Sequence, residues 1–166
     1  MKHTLAVLVE NKPGVLARVS GLFSRRGFNI ESLAVGTTED LTVSRMTIVV
    51  AGDDRVLAQV TSQLGKLIDV ISISDLPPDE SVDRGLALIK VAADTETRSE
   101  IMQIADIFRA KIIDVGAETL IVEVTGDQAK IVAITDMLDR FGIRELVRTG
   151  RIAMSRGTKM ITGGNI

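Results

Sequence analysis

A short stretch near the N-terminus combines residue types suited to holding a zwitterion: Asn11, the run Pro13-Gly14-Val15-Leu16, and, one helix further on, Asn29-Ile30. Apolar residues at Val15, Leu16, Val19, Leu22 and Phe23 recur with the helical period, so the run stands at a helix start. A helix start presents N–H groups that have no intrahelical acceptor, together with a partial positive charge, and this suits a carboxylate. Gly14 carries no side chain to keep a ligand off those amides. The carboxamide oxygens of Asn11 and Asn29 can accept hydrogen bonds from an α-ammonium group, leaving an aliphatic side chain to bury against Ile30 and Val35. This constellation suits a free aliphatic amino acid if both Asn residues lie near one sheet edge, especially where a second subunit completes the site. Asn11 and Gly14 equally suit a plain strand-to-helix turn, and spacing alone does not separate the two roles.

Little else in the chain supports catalysis. His3 is the one His and reads as a surface or packing residue beside the first strand. There is no Cys, so Cys–His catalysis and thiolate metal sites are excluded, and one His cannot supply a multi-His metal centre. Neither phosphate-cradling glycine pattern occurs. Gly52-Asp53-Asp54 suits either a hard cation or, more simply, a helix cap. Arg144, Arg148, Arg151, Arg156 and Lys159 alternate with apolar residues, as a solvated strand face or as a contact surface for an acidic partner. No catalytic residue and no metal ligand is assigned.

The elements that must position the first constellation follow from patterning. Residues 4–9, TLAVLV, read as a buried strand, and Pro13 suits the first turn of the following helix because its missing N–H has no partner there. Arg25 and Arg26 favour the carbonyl end of that helix, and Gly27 suits its left-handed cap. Strands are expected at 29–37 and 42–50, then a helix capped by Asp53 or Asp54 with Val56, Leu57, Val60 and Leu64 on one face, then a strand at 67–74. Strand-helix-strand-strand-helix-strand is the ferredoxin-like order, two helices on one face of an antiparallel sheet. Residues 76–83, LPPDESVD, read as a stiff linker. The plan then repeats, with strands at 86–92, 111–116, 119–125 and 144–153 and helices at 97–109 and 128–140. The fold class is α+β, with domains at 1–76 and 86–158, a linker at 77–85 and a flexible Gly-rich tail at 159–166.

Composition narrows the function classes. Twenty-two acidic side chains balance 20 basic ones for a net charge of -2, too even for binding nucleic acid or an anionic membrane by bulk electrostatics. Aromatics are 2%, all Phe, which disfavours base stacking and sugar recognition. Hydrophobic residues at 45% are enough for a packed core. No apolar run approaches the roughly 18 residues of a membrane helix, and the N-terminus lacks a signal-peptide core. The expectation is a soluble, unprocessed protein of a reducing compartment, the cytoplasm. Domains of about 75 residues are marginal alone, and sheet edges invite another chain, so a homo-oligomer, at least a dimer, is expected.

The segment VENKPGVLARVSGLFSRRGFNIESLAVG resembles the opening of an ACT domain, an amino-acid-sensing module. With VSRMTIVV, the Pro-Pro linker, IFRAKIIDV at 107–115 and RTGRIAMSRG at 148–157, almost the whole chain resembles the small regulatory subunit of acetohydroxyacid (acetolactate) synthase. Leu41 stands where that family commonly has Pro, and Asp83-Arg84-Gly85-Leu86 departs from its usual acidic-Arg-Glu-Leu. The resemblance implies an ACT first domain and an ACT-like second one. It also implies a non-catalytic subunit that binds and activates the catalytic large subunit in branched-chain amino acid biosynthesis and confers feedback inhibition by valine or a related amino acid. Asn11, Gly14 and Asn29 would then be effector contacts, with Pro13, Val15, Leu16 and Ile30 nearby, at an ACT–ACT homodimer interface. No cofactor is implied on this chain; thiamine diphosphate, Mg and FAD are expected on the catalytic subunit. Consistent with that, the chain lacks the Gly-Asp-Gly motif that anchors diphosphate in such enzymes. The alternative is an ACT-type sensor regulating a different enzyme.

Overall fold

In the computed structural model, which describes residues 1–162, the chain divides into two compact units. The first contains β1 (Lys2–Glu10), α1 (Val15–Arg26), β2 (Ile30–Thr37), β3 (Val43–Ala51), α2 (Asp54–Leu64) and β4 (Val70–Asp75). Its sheet has the order β2-β3-β1-β4 with every neighbouring pair antiparallel. Alternate residues Leu5, Val7 and Val9 of β1 join Met46, Ile48 and Val50 of β3 under the helices. The α1 stripe Val15, Val19, Leu22 and Phe23 and the α2 residues Val60 and Leu64 close that core. Each such side chain contributes about 1.5–3 kcal/mol by leaving water. The opposite face of β1 is covered too: Ala6 packs with Leu76, Ala153 and Ile161. Coverage on both sides explains why the β1 sequence is continuously apolar rather than alternating.

The helix ends are specified locally. Gly27 adopts φ 69° and its N–H reaches the Phe23 and Ser24 carbonyls, with Arg25 and Arg26 in the last turn. Asp53 caps α2, accepting from the Val56 N–H at 3.0 Å. Pro13 differs from expectation. It lies in the turn before α1 rather than in its first turn, because Gly14 at φ 85° is not helical and the helix begins only at Val15.

The second unit repeats the plan with β5 (Ser81–Ala92), α3 (Arg98–Ile107), β6 (Lys111–Val115), β7 (Thr119–Gly126), α4 (Gln128–Asp139) and β8 (Ile143–Arg148). The antiparallel order is β6-β7-β5-β8, and Ile89, Val91, Leu120 and Val122 pack under Ile101, Ile134 and Leu138 of the helices. Asp127 caps α4 through the Lys130 N–H at 2.9 Å. Both units are ferredoxin-like, and the fold is α+β as the element pattern implies.

Boundaries differ in three places. The strand expected at 67–74 begins only at Val70, because the chain from Leu67 closes a turn (Val70 N to Leu67 O, 3.1 Å). The linker expected at 77–85 is shorter, because Pro77–Glu80 closes a turn (Glu80 N to Pro77 O, 3.1 Å) and β5 already begins at Ser81. The single closing strand expected at 144–153 is two strands, β8 and β9 (Ile152–Ser155), and the chain from Arg151 groups with the first unit rather than the second. The grouping has polar and apolar causes. Arg45 Nη2 donates to the Ala153 carbonyl at 2.6 Å, Arg151 N donates to Ser32 Oγ at 2.9 Å, and Arg156 N donates to the Glu80 carbonyl at 2.8 Å. Burial lowers the Arg45 pKa from its ordinary value, an effect that Coulombic attraction to Glu39 opposes. Within the expected tail, Ile161 packs on the Ala6 cluster, which holds that part of the chain in place; residues 163–166 lie outside the described residues.

Candidate functional site

The start of α1 is where the sequence reading puts the candidate site. Gly14 is the N-cap residue in the left-handed region, no side chain caps the helix, and the first turn contains no acidic residue. The Val15 N–H makes only a long contact, 3.4 Å, to the Lys12 carbonyl. Amide donors are thus presented at the positive end of the helix dipole with no resident anion from the helix itself.

Asn11 stands just beyond β1, exposed. Its backbone N–H donates to the Thr42 carbonyl at 2.8 Å and its Nδ2 to the Leu41 carbonyl at 2.9 Å. With the carboxamide nitrogen engaged, Oδ1 remains as an acceptor suited to an ammonium group. The Leu41 carbonyl is itself fixed by a turn in which Asp40 Oδ1 accepts from Thr42 N at 2.9 Å and from Thr42 Oγ1 at 2.7 Å. Those bonds, the Thr42 hydroxyl first, hold the Asp40 carboxyl below its ordinary pKa.

The other expected residues separate into groups. The Val15 side chain is buried in the core, so what it offers a ligand is its amide. Pro13 is exposed in the turn, and Leu16 is exposed on the first turn of α1. Val35 of β2 lies level with Val7 through Met46, toward the Asn11 end of the sheet, and is 45% exposed. Ile30 packs partly into the core.

Asn29 does not join Asn11 within one chain, which corrects the expectation that both lie near one sheet edge. Ile30 pairs with Val50, which pairs with His3, whereas Glu10 pairs with Val43 at the other end of the sheet. β1 and β2 run parallel with β3 between them, so the residue preceding β2 and the residue following β1 are separated by the strand length, on the order of 25 Å at ~3.3 Å per residue.

Two residues beside the site were missed. Arg18 Nε donates to Asp69 Oδ2 at 2.6 Å, and the Asp69 side chain is only 9% exposed. The Arg18 position, four residues after Gly14, was a usable signal, since helical side chains lean toward the N-terminus. Asp69 gave none, because its approach depends on the pairing of β1 with β4. Nearby, Lys12 Nζ lies 2.9 Å from Glu10 Oε2, a hydrogen-bonded pair that raises the Lys12 pKa.

Elsewhere, Lys90 and Glu145 pair at 3.3 Å over a depression of about 180 Å³ lined also by Leu88, Ile121 and Val147, smaller than ordinary ligand pockets. Among the described residues no group of three or more His, Asp or Glu is placed to hold a metal ion, and no helix is long and apolar enough to cross a membrane.

Comparison with known proteins shows the family. Residues 5–72 match the family model for the acetohydroxyacid synthase small subunit-like ACT domain, and residues 84–157 match that for the small subunit of acetolactate synthase. A probable acetolactate synthase small subunit of Archaeoglobus fulgidus is 60% identical, covering 96% of this chain and 99% of that protein. The acetolactate synthase small subunit of Mycobacterium leprae is 57% identical, covering 96% and 94%. The crystal structure of the acetolactate synthase small subunit from Thermotoga maritima superposes with a TM-score of 0.90 at 43% identity, covering 96% of this chain and 99% of that one. With both halves matched and nearly the full length shared, the chain belongs to the family of acetolactate synthase small, regulatory subunits, its first unit being the ACT domain.

Proposed function

We propose that this chain activates the catalytic subunit of acetolactate synthase and makes it inhibitable by valine or a closely related branched-chain amino acid bound at the start of α1. The observation that carries the reading is the uncapped, left-handed Gly14 start of α1 beside an Asn11 whose carboxamide nitrogen is already engaged by Leu41. The ligand carboxylate meets the α1 amides, its ammonium meets Asn11 Oδ1, and its side chain lies against Leu16 and Val35.

The site is completed by a second copy. β2 is an edge strand, and antiparallel pairing of two β2 edges about a two-fold axis near Leu33 sets Asn29 of the partner subunit opposite Thr37. Thr37 is level with Val9 through Ser44, at the Asn11 end of the sheet. Two equivalent sites result, each using Asn11 and Gly14 of one protomer and the Asn29-Ile30 segment of the other.

The energetics fit a metabolite sensor. Burying a valine side chain contributes about 2 kcal/mol, at ~0.8 per carbon. Charge-assisted bonds at the two ends add ~1.5–3 kcal/mol each before association costs, which gives micromolar-to-millimolar affinity. One methylene separates valine from leucine, so discrimination is modest, ~1–3 kcal/mol. Inhibition further requires that the ligand favour the inhibited arrangement over the active one, since equal affinity shifts nothing.

In this reading the chain carries no active site; thiamine diphosphate, Mg and FAD belong to the catalytic subunit, and both work in the cytoplasm. The test is to mix the chain with its cognate catalytic subunit and follow acetolactate. No product from the isolated chain, a raised turnover on mixing and a fall with valine support the proposal; an unchanged turnover at saturating chain refutes it.

A further inference from the structure

The guanidinium of Arg18 lies beside Gly14, at the start of α1 where the effector is proposed to bind. Arg18 follows Gly14 by one helical turn and its side chain leans back along α1. Its Nη1 stands 3.0 Å from the point that a Cβ on Gly14 would occupy. Only its Nε is committed, to Asp69 Oδ2 at 2.6 Å, so among the described contacts one of its five N–H donors is used. The Asp69 carboxylate is a fixed post: its side chain is 9% exposed, and its backbone carbonyl accepts from Glu10 N at 2.9 Å.

This arrangement is electrostatically incomplete. A cation at the start of a helix opposes the dipole, and acids rather than bases are favoured there. α1 has no acid in its first turn and instead has the Arg18 guanidinium close to Gly14. Asp69 balances Arg18 from one side, and Glu10 balances Lys12 at 2.9 Å. An anion seated on the α1 amides would meet the unused Nη1/Nη2 edge of Arg18, the planar geometry that suits a carboxylate.

We propose that Arg18, oriented by Asp69, clamps the carboxylate of the amino-acid effector against the α1 N-terminus. This rests on the effector site proposed above and deepens it by naming the group that selects a free carboxylate. It also gives Gly14 a second role: a Cβ there would press on the guanidinium at 3.0 Å and displace it.

The test is calorimetric titration of the full-length chain with L-valine and with L-valinamide, which lacks the carboxylate, for wild type, Arg18→Gln, Arg18→Lys, Asp69→Asn and Asn11→Ala. Wild type is expected to prefer valine over valinamide by about tenfold or more, the strength of a charge-assisted contact. In Arg18→Gln the valine affinity falls and the ratio collapses toward one. Arg18→Lys and Asp69→Asn give intermediate ratios, while Asn11→Ala weakens both ligands and keeps the ratio. Circular dichroism confirms that each variant is folded, and Arg18→Lys carries the test if Arg18→Gln is not. A wild-type preference retained in a folded Arg18 variant overturns the clamp and leaves the site standing. A wild type that binds neither ligand overturns the site itself, and the clamp with it.

Discussion

Asn11 and Asn29 stand at opposite ends of the first sheet of one chain, because β1 and β2 run parallel on either side of β3. A ligand touching both must therefore lie between two chains. In the proposed function that would link sensing to assembly, since an effector at such a site stabilises the pairing that forms it by mass action, and ligand concentration would bias the quaternary arrangement presented to the catalytic subunit.

Gly14 is the most constrained residue of the site. At φ 85° an L-side chain costs about 1–2 kcal/mol. A Cβ there would also stand 3.0 Å from Arg18 Nη1. Gly14→Ala is expected to lower the melting temperature slightly and weaken valine inhibition. Gly14→Asp should weaken inhibition far more, by placing a carboxylate where the ligand's own belongs. Activity of the mixed subunits against valine concentration reads both; a Gly14→Asp chain as valine-sensitive as wild type would show the site to be misplaced.

Asp40 ties the β2–β3 turn to Asn11 through Leu41, and this gives effector binding an acid limit. Its hydrogen bonds to Thr42 lower its folded pKa below the unfolded value of about 3.9. The ordering it provides is thus fully present above that unfolded value and is lost as pH falls through the lower, folded one. Valine affinity is expected to hold from neutral pH down to the ordinary carboxylate range and to drop below it. Asp40→Ala should show the weaker affinity already at pH 7. Titration across pH checks both, and a variant with wild-type affinity at pH 7 would separate Asp40 from the site.

Asp53 tests the stability of the first unit through a helix cap. It caps α2 through the Val56 N–H at 3.0 Å, at the His3 end of the sheet where Asn29 also stands. Asp53→Ala should cost about 1 kcal/mol, the usual worth of an N-cap. Denaturant melts should show that loss, and an unchanged midpoint would show the cap to carry no weight.

Most of the fold was legible in the sequence because its elements are amphipathic at their own periods: the α1 stripe from Val15 to Phe23, the α2 stripe ending at Leu64 and the Asp53 cap all stand where patterning puts them. The opposition of Asn11 and Asn29 was legible too, since a split βαβ unit sets β1 parallel to β2 with β3 between them. The return of Arg151–Ile161 to the first unit was not legible. It depends on single long-range bonds, Arg45 to the Ala153 carbonyl and Arg151 N to Ser32 Oγ, that leave no periodic trace. Arg18 with Asp69 was half legible: the one by its helical reach, the other only through the pairing of β4.

The returning segment should matter to the first unit. Ile161 packs on Ala6 and Leu76, and Arg156 bonds the Glu80 and Ser81 carbonyls at 2.8 and 3.1 Å. Truncation after Ser155 is expected to destabilise the first unit by about 2 kcal/mol, the scale of removing one large apolar contact with its supporting bonds. Hydrogen exchange of the β1 amides reads it, and unchanged protection would show the segment to be dispensable.

The most direct measurement of the shared site is complementation between two defective chains. Asn11→Ala and Asn29→Ala are purified separately, each expected to have lost most valine binding, then mixed, allowed to exchange subunits and titrated with valine. A site drawn from two protomers regains one intact copy in every mixed dimer, because the unaltered Asn11 of one chain meets the unaltered Asn29 of the other. Binding heat is expected to reappear on mixing. If subunits demonstrably exchange and no binding returns, both carboxamides do not act in one site across the pair, and the account of this sensor is wrong at its centre.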